Sequence, residues 1–211
     1  DLEHIRQMDL PGLKAATLKM HFDLGKGGRG LREALDRLCE DAVEAIADNC
    51  TVLILSDRGA DAEHMPIPAL LATGAVHHHL IREGLRIKCG LVVETAEARE
   101  VHHMAALIGY GAGGINPYLA LATLDQMAEE GYFAEEEAIN RRKNYIKAIG
   151  KGLLKVMSKI GVSTLHSYRG AQIFEAVGLN SDVISHYFVG TASRIEGAGL
   201  DELAADLQQR Y

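Results

Sequence analysis

Ser56, Asp57, Arg58, Glu94 and Arg99 combine a hydroxyl, two carboxylates and two guanidinium groups at or just beyond the carboxyl ends of segments that read as β-strands. In α/β folds that edge is where sites are built, because rigid strands root loops that are free to vary. Such a set could bind an anionic group and move a proton. It could equally close on itself as ion pairs that fix the loops, and this structural reading carries more weight than the catalytic one. Arg169, after Ser167 and Tyr168, poses the same choice: a grip on a phosphate or carboxylate presented by a neighbouring domain, or, with more weight, an internal ion pair.

Two histidine groups invite a metal reading that their spacing weakens. His77, His78 and His79 are consecutive, and neighbours on a helix point about 100° apart, so they cannot all face one ion. The pair His102 and His103 meets the same objection, which leaves surface or hydrogen-bonded imidazoles as the expectation. The glycine-rich run from Gly109 to Gly114 resembles a phosphate-cradling loop, but its spacing is not Gly-x-Gly-x-x-Gly and no Gly-Lys-Ser/Thr follows, so it reads as a tight turn. Tyr110, Tyr118, Tyr168 and Tyr187 lack the interleaved basic residues of a base-stacking platform.

The elements that would position these residues follow a βα rhythm. Residues 16–22 alternate apolar and polar and read as a strand, residues 25–30 as a flexible glycine turn, and Leu31 opens a helix with one apolar stripe that ends near Asp48 and Asn49. The run Thr51 to Leu55 is continuously apolar, as a central parallel strand covered on both faces requires. A helix over 69–82, a strand over 87–94 and a helix over 96–108 repeat the unit. Residues 111–115 read as a short strand or its turn, with Asn116 as cap and Pro117 as first residue of a helix ending near Gly131. A long helix over 135–160 carries Ile146, Ile149, Leu153, Val156 and Ile160 on one stripe, with Gly150 and Gly152 weakening its middle and Gly161 stopping it. Residues 162–167 read as a strand, 171–177 as a short helix and 200–209 as an amphipathic helix. Four to five βα units are too few for a full barrel, so the expected fold is an α/β domain with a mainly parallel sheet, partial or irregular in its barrel character.

Composition narrows the function classes. The chain has 211 residues, 47% of them hydrophobic, enough for an ordinary core, and a formal charge of −7 with no Lys/Arg cluster read as a stripe, which makes nucleic acid an unsuitable partner. Cys39, Cys50 and Cys89 are too few and too scattered for a disulfide framework or a cluster site, pointing to a reducing compartment and a cytoplasmic location. No apolar run approaches the roughly 20 residues that a membrane helix needs, and the N-terminus reads as that of a segment excised from a longer chain.

Long strings of the sequence resemble one family. Residues 53–59, 66–68, 74–84, 90–103, 109–118, 143–161, 163–180 and 188–197 are similar to the central region of the glutamate synthase large subunit as it runs toward the flavin domain. The resemblance covers essentially the whole chain and implies one α/β unit over 1–211, with about 170–211 as the lead-in to the FMN-binding domain. The parent reaction that it implies is glutamine plus 2-oxoglutarate plus two electrons giving two glutamates, with ammonia passing between an amidotransferase domain and an FMN domain that carries an iron–sulfur cluster. NADPH would enter through a small partner subunit, the bacterial NADPH-dependent type being favoured. No catalytic, cofactor or metal-binding residue of that family transfers to a position of this segment: Asp1 stands where the chain starts rather than a nucleophilic cysteine, and Cys39 and Cys50 lie in predicted elements. The implied role is a structural domain that links the two active sites and helps wall the ammonia route. An autonomous β/α enzyme or anion- or flavin-binding module using the strand-end residues is the alternative, and a separately encoded subunit acting in trans is a third.

Overall fold

The computed structural model describes residues 2–210, with every side chain among them except those of Asp9 and Glu136. Asp1 and Tyr211, the ends of the expected unit, lie outside the described residues. A short helix α1 (Leu2–Arg6) and strand β1 (Asp9–Leu10) lead into β2 (Leu13–Lys19), β3 (His21–Asp23) and helix α2 (Gly27–Ala47). Then come β4 (Val52–Ser56), β5 (His64–Pro66), α3 (Ala69–Arg82), β6 (Gly90–Glu94), α4 (Val101–Gly109) and β7 (Gly114–Asn116).

The main sheet has the order β1-β2-β4-β6-β7, with β1 antiparallel to β2 and the other neighbours parallel. Parallel neighbours need crossovers of a dozen residues or more, which α2, α3 and α4 supply. The four parallel strands follow one another across the sheet in chain order. A doubly wound sheet reverses at a switch point, whereas barrel-type winding proceeds in one direction, as here. The fold is thus α/β with a mainly parallel sheet of repeated βα units, as the sequence rhythm implies.

Register divides the sheet into two faces. Ala16, Leu53 and Leu91 stand in one row and Leu18, Leu55, Val93 and Ile115 in another, all on the face covered by α2, α3 and α4. Leu31, Leu35 and Leu38 of α2 and Val76 and Leu80 of α3 pack against them with 1% exposure or less. Removing one such leucine side chain costs roughly 2–5 kcal/mol. The opposite face carries Thr17, Ile54, Val92 and Gly114, then Lys19, Ser56, Glu94 and Asn116 at the carboxyl edge. A period of two thus puts aliphatic residues into the helix-covered core and polar ones at one end of the other face.

The expected 16–22 strand breaks at Met20, because β3 leaves the sheet to pair with β5 in an antiparallel ribbon that buries Phe22 and Met65. The glycine turn at 25–30 is corrected: α2 already starts at Gly27. Gly28 and Gly30 serve close approach there, since a Cβ on Gly28 would lie 2.6 Å from the Asp201 backbone and one on Gly30 would lie 2.5 Å from the Asp23 carbonyl. The second buried strand starts at Gly90, three residues later than its pattern suggests, and Ile87 is 96% exposed in a single 3-10 turn over Arg86–Lys88. Residues 96–100 form the loop before α4 rather than its first turn.

Helix α5 (Tyr118–Glu129) begins two residues after Asn116, which ends β7 instead of capping the helix. Helix α6 (Glu135–Ile160) has the expected bounds and ends at Gly161, whose φ of 75° makes the left-handed stop. Its stripe is used in part: Ile149 and Leu153 pack on the main core, while Ile146 is 63% exposed. Gly152 sits against Val101 of α4 and is therefore a helix-crossing point, not only a weak spot.

Two expectations near the C-terminus are overturned. Residues 162–167 are a loop and the start of a short helix α7 (Leu165–Tyr168), capped by the Thr164 hydroxyl, which accepts from the Ser167 N–H at 3.2 Å. Residues 171–177 contain no helix; β8 (Glu175–Leu179) runs there and pairs in parallel with β9 (Ala192–Ala198) across α8 (Ser181–Tyr187). Helix α9 (Leu200–Arg210) closes the described chain against α2, and α8 packs on α3.

Candidate functional site

Three of the five strand-end residues, Ser56, Arg58 and Glu94, meet in one cluster. Ser56 and Glu94 are register partners on β4 and β6, so both side chains rise from the same sheet face at the same level. Ser56 Oγ donates to Glu94 Oε2 at 2.5 Å, Arg6 Nη2 donates to the same oxygen at 2.9 Å, and Arg58 Nε donates to Glu94 Oε1 at 2.7 Å. Glu94 is 2% exposed. Burial pushes its carboxyl up, but the hydrogen bonds from Ser56, Arg58 and Arg6 outweigh it and hold the group below the usual carboxylate range. Glu94 is therefore a saturated anion, poorly suited to act as a proton acceptor.

Arg6 and Arg58 are themselves held. Arg6 Nη1 donates to Thr17 Oγ1 at 2.7 Å, and its Nε donates to Glu3 at 3.2 Å. The Arg58 guanidinium lies 3.8 Å from the centroid of the Tyr118 ring, a cation–π contact that ties β4 to the start of α5. Asp57 points elsewhere: its Oδ2 accepts from Thr95 Oγ1 at 2.7 Å and from the Ala96 N–H at 2.9 Å, while its buried Oδ1 has no partner among the described residues. A cleft of about 570 Å³ opens over this cluster, lined by Thr17, Lys19, Arg58, Asn116 and the residues of α1.

A second cleft, of about 600 Å³, lies on the other side of the β6–α4 loop and is mainly apolar, with Leu70, Leu107, Leu119 and Leu207 in its walls. Glu97 sits there and caps α3 by accepting from the Ala69 N–H at 2.6 Å. Burial first, and then the charge of Asp57, push its carboxyl up. Arg99 does not join the cluster: it is exposed at this second cleft, and its backbone serves α4 and α6, the N–H donating to His103 Nδ1 and the carbonyl accepting from Tyr145.

His77 has a packing role. His77 Nδ1 accepts from Arg86 Nε at 2.9 Å, and the other Arg86 nitrogens donate to the carbonyls of Cys89 and Gly111 at 2.8 Å. Burial, then the Arg86 charge, lower His77 to about 4, so it is a neutral acceptor. Among the described residues no group of three His, Cys, Asp or Glu is placed to hold a metal ion. Arg169 lies near enough to His77 and Arg86 to repel a proton there, and its buried Nε has no hydrogen-bond partner among the described residues.

The glycine run cannot cradle a phosphate as it stands. The N–H groups of Tyr110, Gly111, Ala112 and Gly113 all donate to backbone carbonyls, those of Ala106, Ile108, Leu107 and Leu91. Gly111 has φ of 114° and a Cβ on it would run into the His77 ring, and a Cβ on Gly109 would lie 2.6 Å from the Phe174 ring. The three cysteines are buried free thiols; burial raises Cys39 to about 12 and also raises Cys89. Neither a flavin phosphate nor a thiolate-held cluster fits these donors.

Sequence reasoning missed Arg6, which stands 88 positions from Glu94, and also Lys19 and Tyr118. Lys19 ends the first parallel strand as Ser56 and Glu94 end the next two, but it lies in the middle of the strand expected over 16–22, so strand-end position did not mark it.

Comparison with known proteins gives a consistent picture. The family model described as glutamate synthase central domain matches residues 1–180. The chain is 49% identical over 203 residues to the large chain of glutamate synthase [NADPH] from Bacillus subtilis, covering 95% of this chain and 13% of that protein. It is 44% identical over 200 residues to glutamate synthase [NADH] from Schizosaccharomyces pombe, covering 93% and 9%. It is 46% identical over 208 residues to the chloroplastic ferredoxin-dependent glutamate synthase of Spinacia oleracea, covering 93% and 13%. The chain thus spans roughly a tenth of the length of the relatives it matches.

Proposed function

Since this chain belongs to the glutamate synthase central-domain family, a structural segment of a larger enzyme, we propose that it holds the amidotransferase and FMN domains of one polypeptide at a fixed spacing and helps wall the route of ammonia between them. The observation that carries this reading is the closure of the strand-end cluster on itself. Where an α/β enzyme would leave a base or an anion grip free, Glu94 takes three donors and Arg58 is pinned between Glu94 and Tyr118. A carboxylate so occupied stiffens a sheet edge and contributes no proton chemistry. No residue of the segment is assigned a catalytic, cofactor-binding or metal-binding role.

The parent reaction in this reading is glutamine plus 2-oxoglutarate plus two electrons giving two glutamates. FMN and the iron–sulfur cluster belong to another part of the polypeptide, in keeping with the donor set described above. Residues 1–211 act as one unit, and about 170–211 lead toward the FMN domain. The reductant is NADPH, delivered through a small partner subunit, and the compartment is the cytoplasm. Support for NADPH is the 49% identity to the Bacillus chain against 46% to the ferredoxin-dependent one. No described helix is long and apolar enough to cross a membrane. The relatives that name NADPH, NADH or ferredoxin in place of one another match the same segment, which suits a part that does not touch the electron donor.

The test is made in the full-length parent enzyme with Glu94→Gln and Arg58→Met. A spacer role predicts lower thermal stability with turnover per folded enzyme within about twofold of the unmodified protein. A loss of turnover by a hundredfold or more with stability unchanged would move these residues into catalysis.

A further inference from the structure

Helix α6 has an unpartnered face. Ile139, Ile146 and Leu154 are 74%, 63% and 66% exposed, and Gly150 lies between the last two with nothing within 4 Å of a Cβ placed on it. Steps of seven, four and four residues put these positions on one side of the helix, forming a stripe about 22 Å long with a notch at the glycine. The buried side of α6, through Ile149, Leu153 and Gly152, is already used against the core and α4.

Beside the stripe runs a second pattern that the sequence reading, which took no Lys/Arg cluster as a stripe, did not see. Lys143, Lys147, Lys151, Lys155 and Lys159 recur every four residues, and all five are exposed. Each step of four advances about 40° around the helix, so the row is about 24 Å long and winds through roughly 160°, with Lys143 and Lys147 nearest the stripe. None of them makes an ion pair among the described residues, whereas the adjacent Arg141 and Arg142 both bind Asp125. In a chain of net charge −7 this is an isolated positive surface.

We propose that this face of α6 is the docking surface for an acidic, apolar-centred surface elsewhere in the parent polypeptide. The inference rests on the reading of the chain as a segment of a larger enzyme. Three features select the occupant. The matched relatives extend far beyond this segment, the chain covering 13% of the Bacillus protein and 9% of the fission-yeast one, so the covering surface has ample polypeptide to come from. A row of five unpaired lysines selects carboxylates over basic or neutral partners. The isoleucine and leucine stripe with its notch selects an apolar ridge at the centre, as in a desolvated interface core with a polar rim, and does not suit a phosphate backbone. A second copy fits poorly: antiparallel helices crossing at Gly150 would bring Lys147 and Lys151 of one beside the same lysines of the other.

Lysine acetylation with mass-spectrometric readout tests it, comparing this chain alone with the full-length parent. The expected result is that Lys147, Lys151 and Lys155 are acetylated at least tenfold more slowly in the parent than in the isolated chain, while Lys88 and Lys14 react alike in both. In the parent, Lys147→Glu with Lys155→Glu should restore reactivity at Lys151, and Lys147→Arg with Lys155→Arg should not. Equal reactivity of the row in both proteins overturns the proposal. Protection already present in the isolated chain, with the sedimentation mass of a dimer, overturns it in favour of a second copy, and protection that appears only on adding duplex DNA overturns it in favour of a nucleic acid. The spacer reading fails by a different result, the turnover loss described above.

Discussion

Ser56 and Glu94 face each other across adjacent parallel strands as register partners, joined by a 2.5 Å hydrogen bond at the carboxyl edge of the sheet. Glu94 collects donors from three separate parts of the chain, α1, β4 and the loop after β4. Strand register, set by the apolar rows beneath, decides that these side chains meet.

Glu94→Ala leaves the Ser56 hydroxyl and two guanidinium groups without their acceptor, one of them a quarter exposed and the other half exposed. The expected loss is about 3 kcal/mol, in line with removal of one member of a buried ionic network. Ser56→Ala should cost about 1 kcal/mol, since the carboxylate keeps both arginines. Urea unfolding of the isolated chain followed by circular dichroism measures both, and equal stability of all three proteins would refute the network's structural role.

His77 gives the fold an acid-sensitive element. The ring is held near 4, against 6.5 for a free imidazole, so the unfolded chain binds a proton over an interval in which the folded chain refuses it. Stability is therefore full above about 6.5, declines as the pH falls from there to about 4 and levels off below. Allowing for partial solvent screening, the expected loss is about 2 kcal/mol. His77→Gln keeps an acceptor for Arg86 and should flatten that part of the stability–pH curve; an unchanged slope would assign it to other groups.

Gly152 and Gly150 are two residues apart on α6 and should respond in opposite directions. A methyl group on Gly152 runs into the Val101 side chain, so Gly152→Ala should destabilise by about 1–3 kcal/mol, as overpacking does. Val101→Ala in the same chain should recover part of that loss. Gly150→Ala meets nothing and should stabilise the isolated chain by about 0.5–1 kcal/mol through helix propensity. Thermal melts of the three variants decide the matter, and a gain from Gly152→Ala would show that α4 and α6 do not cross there.

The sequence made some of this legible because some of its signals are local. Helices α3 and α6 and the strand over Val52 to Ser56 follow from apolar periodicity that one or two neighbouring elements satisfy. Errors gathered where a tertiary contact overrides a local cue. Gly27, Gly28 and Gly30 look like a turn, yet Gly28 and Gly30 are small because Asp201 and the Asp23 carbonyl come close. Residues 171–177 read as a short helix, but the pairing of residues 175–179 with β9, 17 or more positions on, makes that part a strand. Within the site, Ser56, Arg58 and Glu94 were legible from strand-end position, and Arg6 was not, because nothing local to α1 marks a partner on β6.

Flavin capture by the isolated chain distinguishes a silent spacer from a working cofactor module. The purified protein is titrated with FMN while flavin fluorescence and the visible spectrum are recorded. The expected result is a colourless protein with no quenching beyond that given by an unrelated protein, because the glycine-run N–H groups are spent on backbone carbonyls and the strand-end arginines on Glu94. Stoichiometric quenching would contradict it, placing a working cofactor site within these residues and making Arg58, Glu94 and Arg169 the first positions to substitute.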